Sequence, residues 1–420
     1  MTRTVDPTTA TGRRAAPPGR RRAPRLAELR GLLPPRPALP TTAQRLALAA
    51  DIGDLRALAR RRAPRMVFDY VDGAAEAERS LRASVDAFDR VTFHPRVLRD
   101  VRTVSTATEV LGRRIAMPLV LGPTGFTRMV HREGEPAVAR AAAAAGVPYT
   151  LSTMGTTTAA EVAAAAPEGW NWFQLYVVRD RERTRDVLAL ARDAGMEVLV
   201  LTVDVPVAGA RLRDVRHGMT IPPSLRWRSA LQAVRHPAWW FDFVTSEPLA
   251  FATVGGAPDD LAGIVNTMFD PSVTLPDIEW IRGEWPGRIV VKGVQDVADA
   301  AELVQVGVDG IVVSNHGGRQ LDRAPAPLDL LPSVRDAVGD ATTLFLDGGV
   351  RSGGDVAAAV ALGASAAFVG RAYLYGLMAG GEAGVHRALA ILRAELERTM
   401  QLLGVRETGE LTREAASLRP

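Results

Sequence analysis

Fifty of the 51 basic residues in this 420-residue chain are arginine, and the one lysine is Lys292. Lysine is a compact point charge with three rotatable donors, whereas arginine is a planar fork. A position that keeps lysine against this bias points to a job arginine cannot do. Lys292 ends a short, apolar, β-branched run, Ile289-Val290-Val291, of the buried-strand type. A second signal is Ser314-Asn315-His316-Gly317-Gly318-Arg319-Gln320. Histidine is the usual general base near neutral pH. The two glycines permit close backbone approach, and Arg319 can hold an anionic group by its fork. Asp204 ends another apolar run, Val198 to Val203. A carboxylate beside an imidazole fixes the ring and favours its protonated form. A third signal is the pair Asp347-Gly348-Gly349-Val350-Arg351 and Val369-Gly370-Arg371. Glycine-rich turns with an arginine after late strands are how barrel enzymes build phosphate sites, using backbone N–H groups and a helix N-terminus. One phosphate site and one compact cation point to a mononucleotide cofactor, with Lys292 placed to stabilise negative charge on its reduced ring.

These residues need elements that bring them together. Eight short apolar runs end in small or polar residues: Pro118–Gly125, Pro148–Ser152, Trp172–Tyr176, Val198–Asp204, Ile289–Gly293, Gly310–Asn315, Thr343–Gly349 and Ala367–Arg371. Alanine-rich helical stretches such as Glu135–Ala145 and Asp296–Gln305 lie between most of them. Helical periodicity also runs from about Ala43 through Ala59. Alternating strand and helix implies parallel strands, and eight units predict a (β/α)8 TIM barrel. A doubly wound sheet is the alternative. A barrel collects Ser152, Gln174, Tyr176, Thr202, Asp204, Lys292, His316, Asp347 and Arg371 at one rim, whereas an open sheet splits them across two faces. The expected domain is 46–415, with an insertion at about 205–285 after strand four. The insertion carries His236-Pro237-Ala238-Trp239-Trp240-Phe241, either as a core-packing subdomain or as a surface patch for a membrane or partner.

Composition sets further bounds. The chain has no cysteine, which excludes disulfides, thiolate metal sites and a cysteine nucleophile. No metal site is expected. No apolar run is long enough to predict a membrane-spanning helix. The net charge of +4 conceals an asymmetry: residues 1–45 carry ten arginines against Asp6 and Glu28, a net of +8, and the remainder carries −4. That proline- and arginine-rich tail reads as disordered, and nucleic acid or anionic lipid is a weaker reading of it. It lacks the apolar core of a secretory signal.

The ordered motifs resemble the FMN-dependent L-2-hydroxy acid dehydrogenases and oxidases over about residues 47–410. The resemblance rests on Pro64 to Tyr70, Pro123-Thr124-Gly125, Phe173 to Tyr176, Leu201 to Asp204, Lys292-Gly293, Ser314 to Gln320, Asp347-Gly348-Gly349 and Gly370-Arg371. It implies FMN as cofactor, His316 as catalytic base and Asp204 as its partner. It implies Arg319 and Arg211 as a clamp for the substrate carboxylate, with Tyr70 and Tyr176 in contact with substrate. Lys292 is expected near the flavin N1 and O2 atoms. Gln174, Thr202 and Ser152 are expected on the flavin ring or ribityl chain. Arg351, Arg371, Gly370 and the 347–349 backbone fall to the phosphate. Pro123, Thr124, Gly125 and Ser314 complete the cofactor set.

Gly209 to Asp214, His236-Pro237 and Asn266 to Ser272 look like the bacterial quinone-linked L-lactate dehydrogenases. Gly125 matches them, whereas the oxidases commonly carry alanine there. Met154 stands where glycolate oxidases carry tryptophan. The resemblance therefore implies oxidation of L-lactate to pyruvate with a quinone as electron acceptor. An oxidase or monooxygenase using O2, or a dehydrogenase for another acid such as mandelate, is the alternative. Also expected are a homo-oligomer, a tetramer; a cytoplasmic protein, peripheral on the inner face of the cell membrane; and no nucleic-acid partner.

Overall fold

The computed structural model describes residues 40–217, 236–247, 249, 251–252 and 269–419. The tail composition at 1–39, and the insertion residues Arg226, Arg228, Arg235 and Asn266 to Met268, lie outside the described residues. The chain divides into two units, Met1–Thr41 and Thr42–Pro420, and the architecture below is that of the second.

Eight strands form it: β1 (Leu119–Leu121), β2 (Tyr149–Ser152), β3 (Asn171–Leu175), β4 (Val198–Thr202), β5 (Arg288–Val294), β6 (Gly310–Ser314), β7 (Thr343–Asp347) and β8 (Ala366–Val369). They close in the order β7-β8-β1-β2-β3-β4-β5-β6, and the neighbouring pairs are parallel. The helices are α1 (Gly134–Ala145), α2 (Ala159–Ala165), α3 (Arg181–Asp193), α4 (Leu275–Glu284), α5 (Val297–Val306), α6 (Pro327–Val338), α7 (Gly353–Ala361) and α8 (Arg371–Leu403). The fold is a (β/α)8 barrel, and an open sheet is excluded.

Strand side chains alternate between two environments, as the two-residue period requires. Val200, Val290, Val312, Phe345 and Phe368 fill the barrel axis around Trp172, with Phe345 and Phe368 edge-on at 5.5 Å. Leu199, Leu201, Val291, Val313 and Leu346 face the helical layer. A hairpin of Thr108–Val110 and Arg113–Ile115 adds Val110 and Ile115 to the axial cluster. The lower barrel is thus packed solid, and chemistry is left to the C-terminal rim.

Four helices precede the barrel: Thr42–Leu48, Ile52–Arg62, Arg65–Asp72 and Arg79–Asp89. The periodicity from Ala43 to Ala59 is two helices, because Asp51 adopts an extended conformation and caps the second by accepting from the Asp54 N–H. α8 breaks at Gly380-Gly381. There the chain doubles back so closely that a Cβ on Gly384 would lie 1.8 Å from the Gly376 carbonyl oxygen.

Of the 205–285 interval, the structure describes helix Leu212–His217, helix Pro237–Thr245 and the barrel helix α4. The aromatic cluster divides. Trp239 and Trp240 are buried. The Trp239 Nε1–H donates to the Met129 carbonyl at 3.2 Å, and its ring stacks on Phe243 at 4.9 Å. Arg62 pairs with Asp242 at 2.8 Å. Phe241 and Val244 face outward and are exposed. A membrane contact through the two tryptophans is therefore corrected: the nine-residue helix buries both of them. Among the described residues no helix is long and apolar enough to cross a membrane.

Candidate active site

The strand ends deliver side chains to one cleft. Tyr70, Pro123, Thr124, Gly125, Ser152, Tyr176, Thr202, Arg211, Lys292, His316, Arg319, Asp347, Gly348, Gly349, Arg351, Gly370 and Arg371 all line it. Gln174, Asp204 and Ser314 sit directly behind that lining through the hydrogen bonds below.

His316 follows β6 in a tight turn. It has a left-handed φ of 58°, a conformation that is uncommon for a residue with a side chain and often marks functional sites. Three contacts hold it there. The His316 N–H donates to Ser314 Oγ at 3.0 Å. Asn315 Oδ1 accepts from the Gly318 N–H at 3.1 Å. His316 Nδ1 lies 2.9 Å from Asp204 Oδ1. The Asp204 side chain is almost completely enclosed, and its Oδ2 has no hydrogen-bond partner. Gln320 ties the turn to the loop after β4, donating to the Val207 carbonyl at 2.9 Å. That loop also carries Arg211. A Cβ on Gly209 would lie 2.3 Å from the Arg319 carbonyl oxygen, so only glycine allows the two loops to meet this closely.

Tyr70 lies between two guanidinium groups. Arg319 is centred 5.1 Å from its ring and Arg211 5.7 Å. Neither arginine has an ion-pair partner among the described residues. Burial, with repulsion from Arg211, pushes the Arg319 guanidinium down to about 9. Two cations held together with no acid bonded to either among the described residues suit an anion site. Tyr70 stands on the last turn of helix Arg65–Asp72, whose terminal carbonyls need donors. Arg319 donates to the Tyr70 carbonyl at 2.7 Å. Arg371 donates to the carbonyls of Val71 at 2.9 Å, Gly317 at 2.9 Å and Gly73 at 2.6 Å. Arg371 therefore clamps the Tyr70 helix to the His316 turn as well as lining the cleft.

Lys292 is buried, and its Nζ lies 2.7 Å from Asp347 Oδ2 and 3.0 Å from Ser314 Oγ. Burial opposes its charge, but Asp347 and then Asp204 outweigh that and hold its pKa above the ordinary value. Burial likewise opposes the Asp347 charge, and Lys292 outweighs it. The carboxylate of Asp347 thus serves the lysine, leaving the turn beyond it, Gly348 and Gly349 at φ 108° and 87°, open to a ligand. The Thr124 hydroxyl is engaged by Tyr373 at 2.6 Å.

Polar atoms test whether a flavin mononucleotide fits. Gln174 Nε2 and Thr202 Oγ1 are buried without partners, although Gln174 Oε1 accepts from Ser152 Oγ at 2.9 Å. Buried polar groups are normally satisfied, so two orphans beside Lys292 suit the carbonyls and ring nitrogens of a flat heterocycle. The N-terminus of α8 has no side-chain cap, as suits a phosphate. The residues present fit the group.

Sequence reading alone overlooked the wall opposite Tyr176. Phe269 packs edge-on against it at 5.3 Å and lines the cleft with Met154, Val205 and Ala208. Phe269 falls in the Asn266 to Ser272 segment that carries part of the resemblance, but nothing in that segment assigns it a place in the site.

A packed parallel barrel with a base–carboxylate pair, an unneutralised arginine pair and a buried lysine on one rim defines a cofactor-dependent oxidoreductase. The FMN-dependent dehydrogenase family model matches residues 59–418, and the chain belongs to that family, with FMN as its cofactor. A Mycobacterium tuberculosis protein with the provisional name L-lactate dehydrogenase is 53% identical over 393 residues, 93% of this chain and 95% of its own. The L-lactate dehydrogenase of Caulobacter vibrioides is 46% identical over 371 residues, 87% of this chain and 96% of its own. Among solved structures, a monotopic membrane protein, (S)-mandelate dehydrogenase, superposes with a TM-score of 0.84 at 37% identity, over 88% of this chain and 99% of that one.

Proposed function

We propose that this enzyme oxidises L-lactate to pyruvate and passes the electrons to a quinone. The observation that carries the reading is the His316–Asp204 pair at 2.9 Å, on the same rim as two arginines that have no ion-pair partner among the described residues. Arg211 and Arg319 hold the substrate carboxylate by charge-assisted bonds. Tyr70 and Tyr176 close on the bound acid and limit water around it. His316 takes the hydroxyl proton, and Asp204 stabilises the imidazolium that results and fixes which ring nitrogen faces substrate. FMN, when bound, supplies the two-electron acceptor for the substrate Cα. Gln174, Thr202 and Ser152 would hold its ring, Lys292 its pyrimidine edge, and Arg351, with the backbone of Gly348, Gly349 and Gly370, its phosphate.

Two features favour a dehydrogenase over an oxidase. The likeness to enzymes named L-lactate dehydrogenase extends over 87% of the chain or more. Gly125, which the resemblance aligns with the quinone-linked enzymes where oxidases carry alanine, is also closely packed: a Cβ there would approach Met154 Cβ to 2.9 Å. Anaerobic stopped-flow reduction with L-lactate, followed by reoxidation, tests the reading. Reduction by L-lactate and faster reoxidation by a soluble quinone than by O2 are expected. Rapid O2 turnover with stoichiometric peroxide identifies an oxidase and removes the quinone.

A peripheral membrane contact belongs to the same proposal and falls on the exposed Phe241 and Val244, since the tryptophans beside them are buried. Sedimentation with anionic liposomes, lost in Phe241→Ser/Val244→Ser, is the expected result. A homotetramer is checked by light scattering.

A further inference from the structure

A second cavity of about 460 Å³ lies beyond the cleft, between the ends of β4 and β5 and helices α4 and α5. The two spaces share Tyr176, Thr202, Val205 and Phe269 as walls. The barrier between them is the Tyr176–Phe269 ring pair, edge-on at 5.3 Å. Tyr176 comes from just after β3 and Phe269 from the chain leading into α4. Behind the rings the lining is mixed, and Val203, Leu275, Val294 and Leu303 form its apolar part. Asp296, Asp299 and Glu302 line it as well. Its other acids are Asp270, held by Arg181 at 3.3 Å, and Asp204, held by His316 at 2.9 Å.

We propose that Phe269 is the residue that limits the substrate's side chain to a small group, and that the cavity behind it accepts the alkyl or aryl tail of a larger 2-hydroxy acid once that ring is removed. This rests on the reading of Arg211, Arg319, Tyr176 and His316 as the substrate pocket. With the carboxylate held by the arginines and the hydroxyl at His316, the third substituent at Cα is the part left to meet the Phe269 side of the cleft. A methyl fits in front of the ring, whereas a longer chain must displace it. Beyond Phe269 a hydrocarbon tail meets the apolar part of the lining, Val203, Leu275, Val294 and Leu303, and transfer of each methylene from water is worth up to roughly fourfold in binding. A second carboxylate meets three acids and is rejected by like charge. Phe269 is not on a barrel strand and forms none of the hydrogen bonds that hold the His316–Asp204 pair, so its replacement leaves those bonds in place.

The test is anaerobic flavin reduction in the full-length FMN enzyme by L-lactate, L-2-hydroxyoctanoate, L-mandelate and L-2-hydroxyglutarate. In Phe269→Ala, the kcat/KM for hydroxyoctanoate and mandelate relative to lactate should rise roughly tenfold or more, with no gain for hydroxyglutarate. Adding Val203→Trp, which refills the cavity from a half-exposed position, should abolish the gain. Phe269→Leu should give a smaller gain and guards against misfolding of the alanine variant. Unchanged ratios in flavin-replete Phe269→Leu and Phe269→Ala overturn the proposal, as does an equal gain for hydroxyglutarate. Perturbation of flavin absorbance by 2-oxooctanoate against pyruvate reads the wall without turnover. If wild type is reduced by none of these acids, the functional reading fails; Phe269→Ala binding the longer oxo acid no better than wild type does sinks the wall.

Discussion

Arg211 and Arg213 are two residues apart and do opposite things. Arg213 reaches Asp69 at 3.3 Å, Asp72 at 3.0 Å and Glu78 at 2.5 Å. Arg56 joins the same group through Asp72 at 2.6 Å. The balance of charge is local, and its effect is to fasten the helix bearing Tyr70 to the loop after β4. Arg211 turns the other way, onto the Tyr70 ring beside Arg319, and its buried Nε has no partner among the described residues. The difference teaches how a chain with fifty arginines separates architecture from ligand binding. Where acids are supplied, the arginines stabilise the fold; where they are withheld, the cost of burying like charges together is offset only when an anion arrives.

The largest test of this division concerns the base beside the unpaired arginines. His316→Gln should retain FMN yet lose roughly 10²–10⁴-fold in the rate of flavin reduction. Reduction at the wild-type rate would remove His316 from the chemistry and leave the arginines an anion site without a reaction. The division itself is sharpened by two arginines taken in parallel. Arg319→Lys keeps a charge but loses the fork, and should cost roughly ten- to a hundredfold in kcat/KM for L-lactate. Arg213→Met should instead lower unfolding stability by about 1–3 kcal/mol, with kcat/KM little altered, because it leaves enclosed carboxylates short of donors. If both variants move the same observable, the two clusters are one.

Lys292 tests an intermediate case, a cation with an acid inside the cleft. Lys292→Met should lower the flavin midpoint potential, and Asp347→Asn should raise it by freeing the ammonium. Shifts of roughly 30 mV are expected, equivalent to a tenfold change in a two-electron equilibrium. Equal midpoints in both variants would show that the pair cancels at the flavin.

The smallest effect lies at the seam under helix Pro237–Thr245. Burial, then repulsion from Arg62, pushes His131 down to about 4. Its Nε2 lies 3.1 Å from Arg62 Nη2, the same nitrogen that pairs with Asp242. His131 stays neutral when folded, whereas the unfolded chain takes up a proton below about 6.5. The unfolded state then binds more protons, so stability falls as pH drops from about 6.5 towards 4, by about 1–2 kcal/mol down to pH 5. Chemical denaturation across that range should show the slope, and His131→Asn should flatten it. A flat wild-type profile would mean that the imidazole is reached by water.

The barrel was legible because strand burial leaves a strong local trace: all eight apolar runs became strands, since a strand covered on both faces must be apolar along its length. Lys292, His316 and Asp204 were legible because strand ends share one rim in a closed parallel barrel. The division of the insertion's aromatics was not, because Trp239, Trp240 and Phe241 are adjacent in sequence and only the docking of their helix separates buried from exposed. Arg371 was legible as a cleft residue, but its three backbone carbonyl partners come from the end of helix Arg65–Asp72, its capping Gly73 and the His316 turn, segments far from it in sequence.

The sequence by itself determined the fold class, the family and the chemical identities at the rim, for these follow from apolar period, glycine placement and residue type in order. Only the tertiary structure decided which arginines carry acids, which aromatics face inward, and that Phe269 stands between two cavities. Those are outcomes of side chains from distant segments meeting at close range, where burial fixes the energy of a charge and packing fixes the shape of a space.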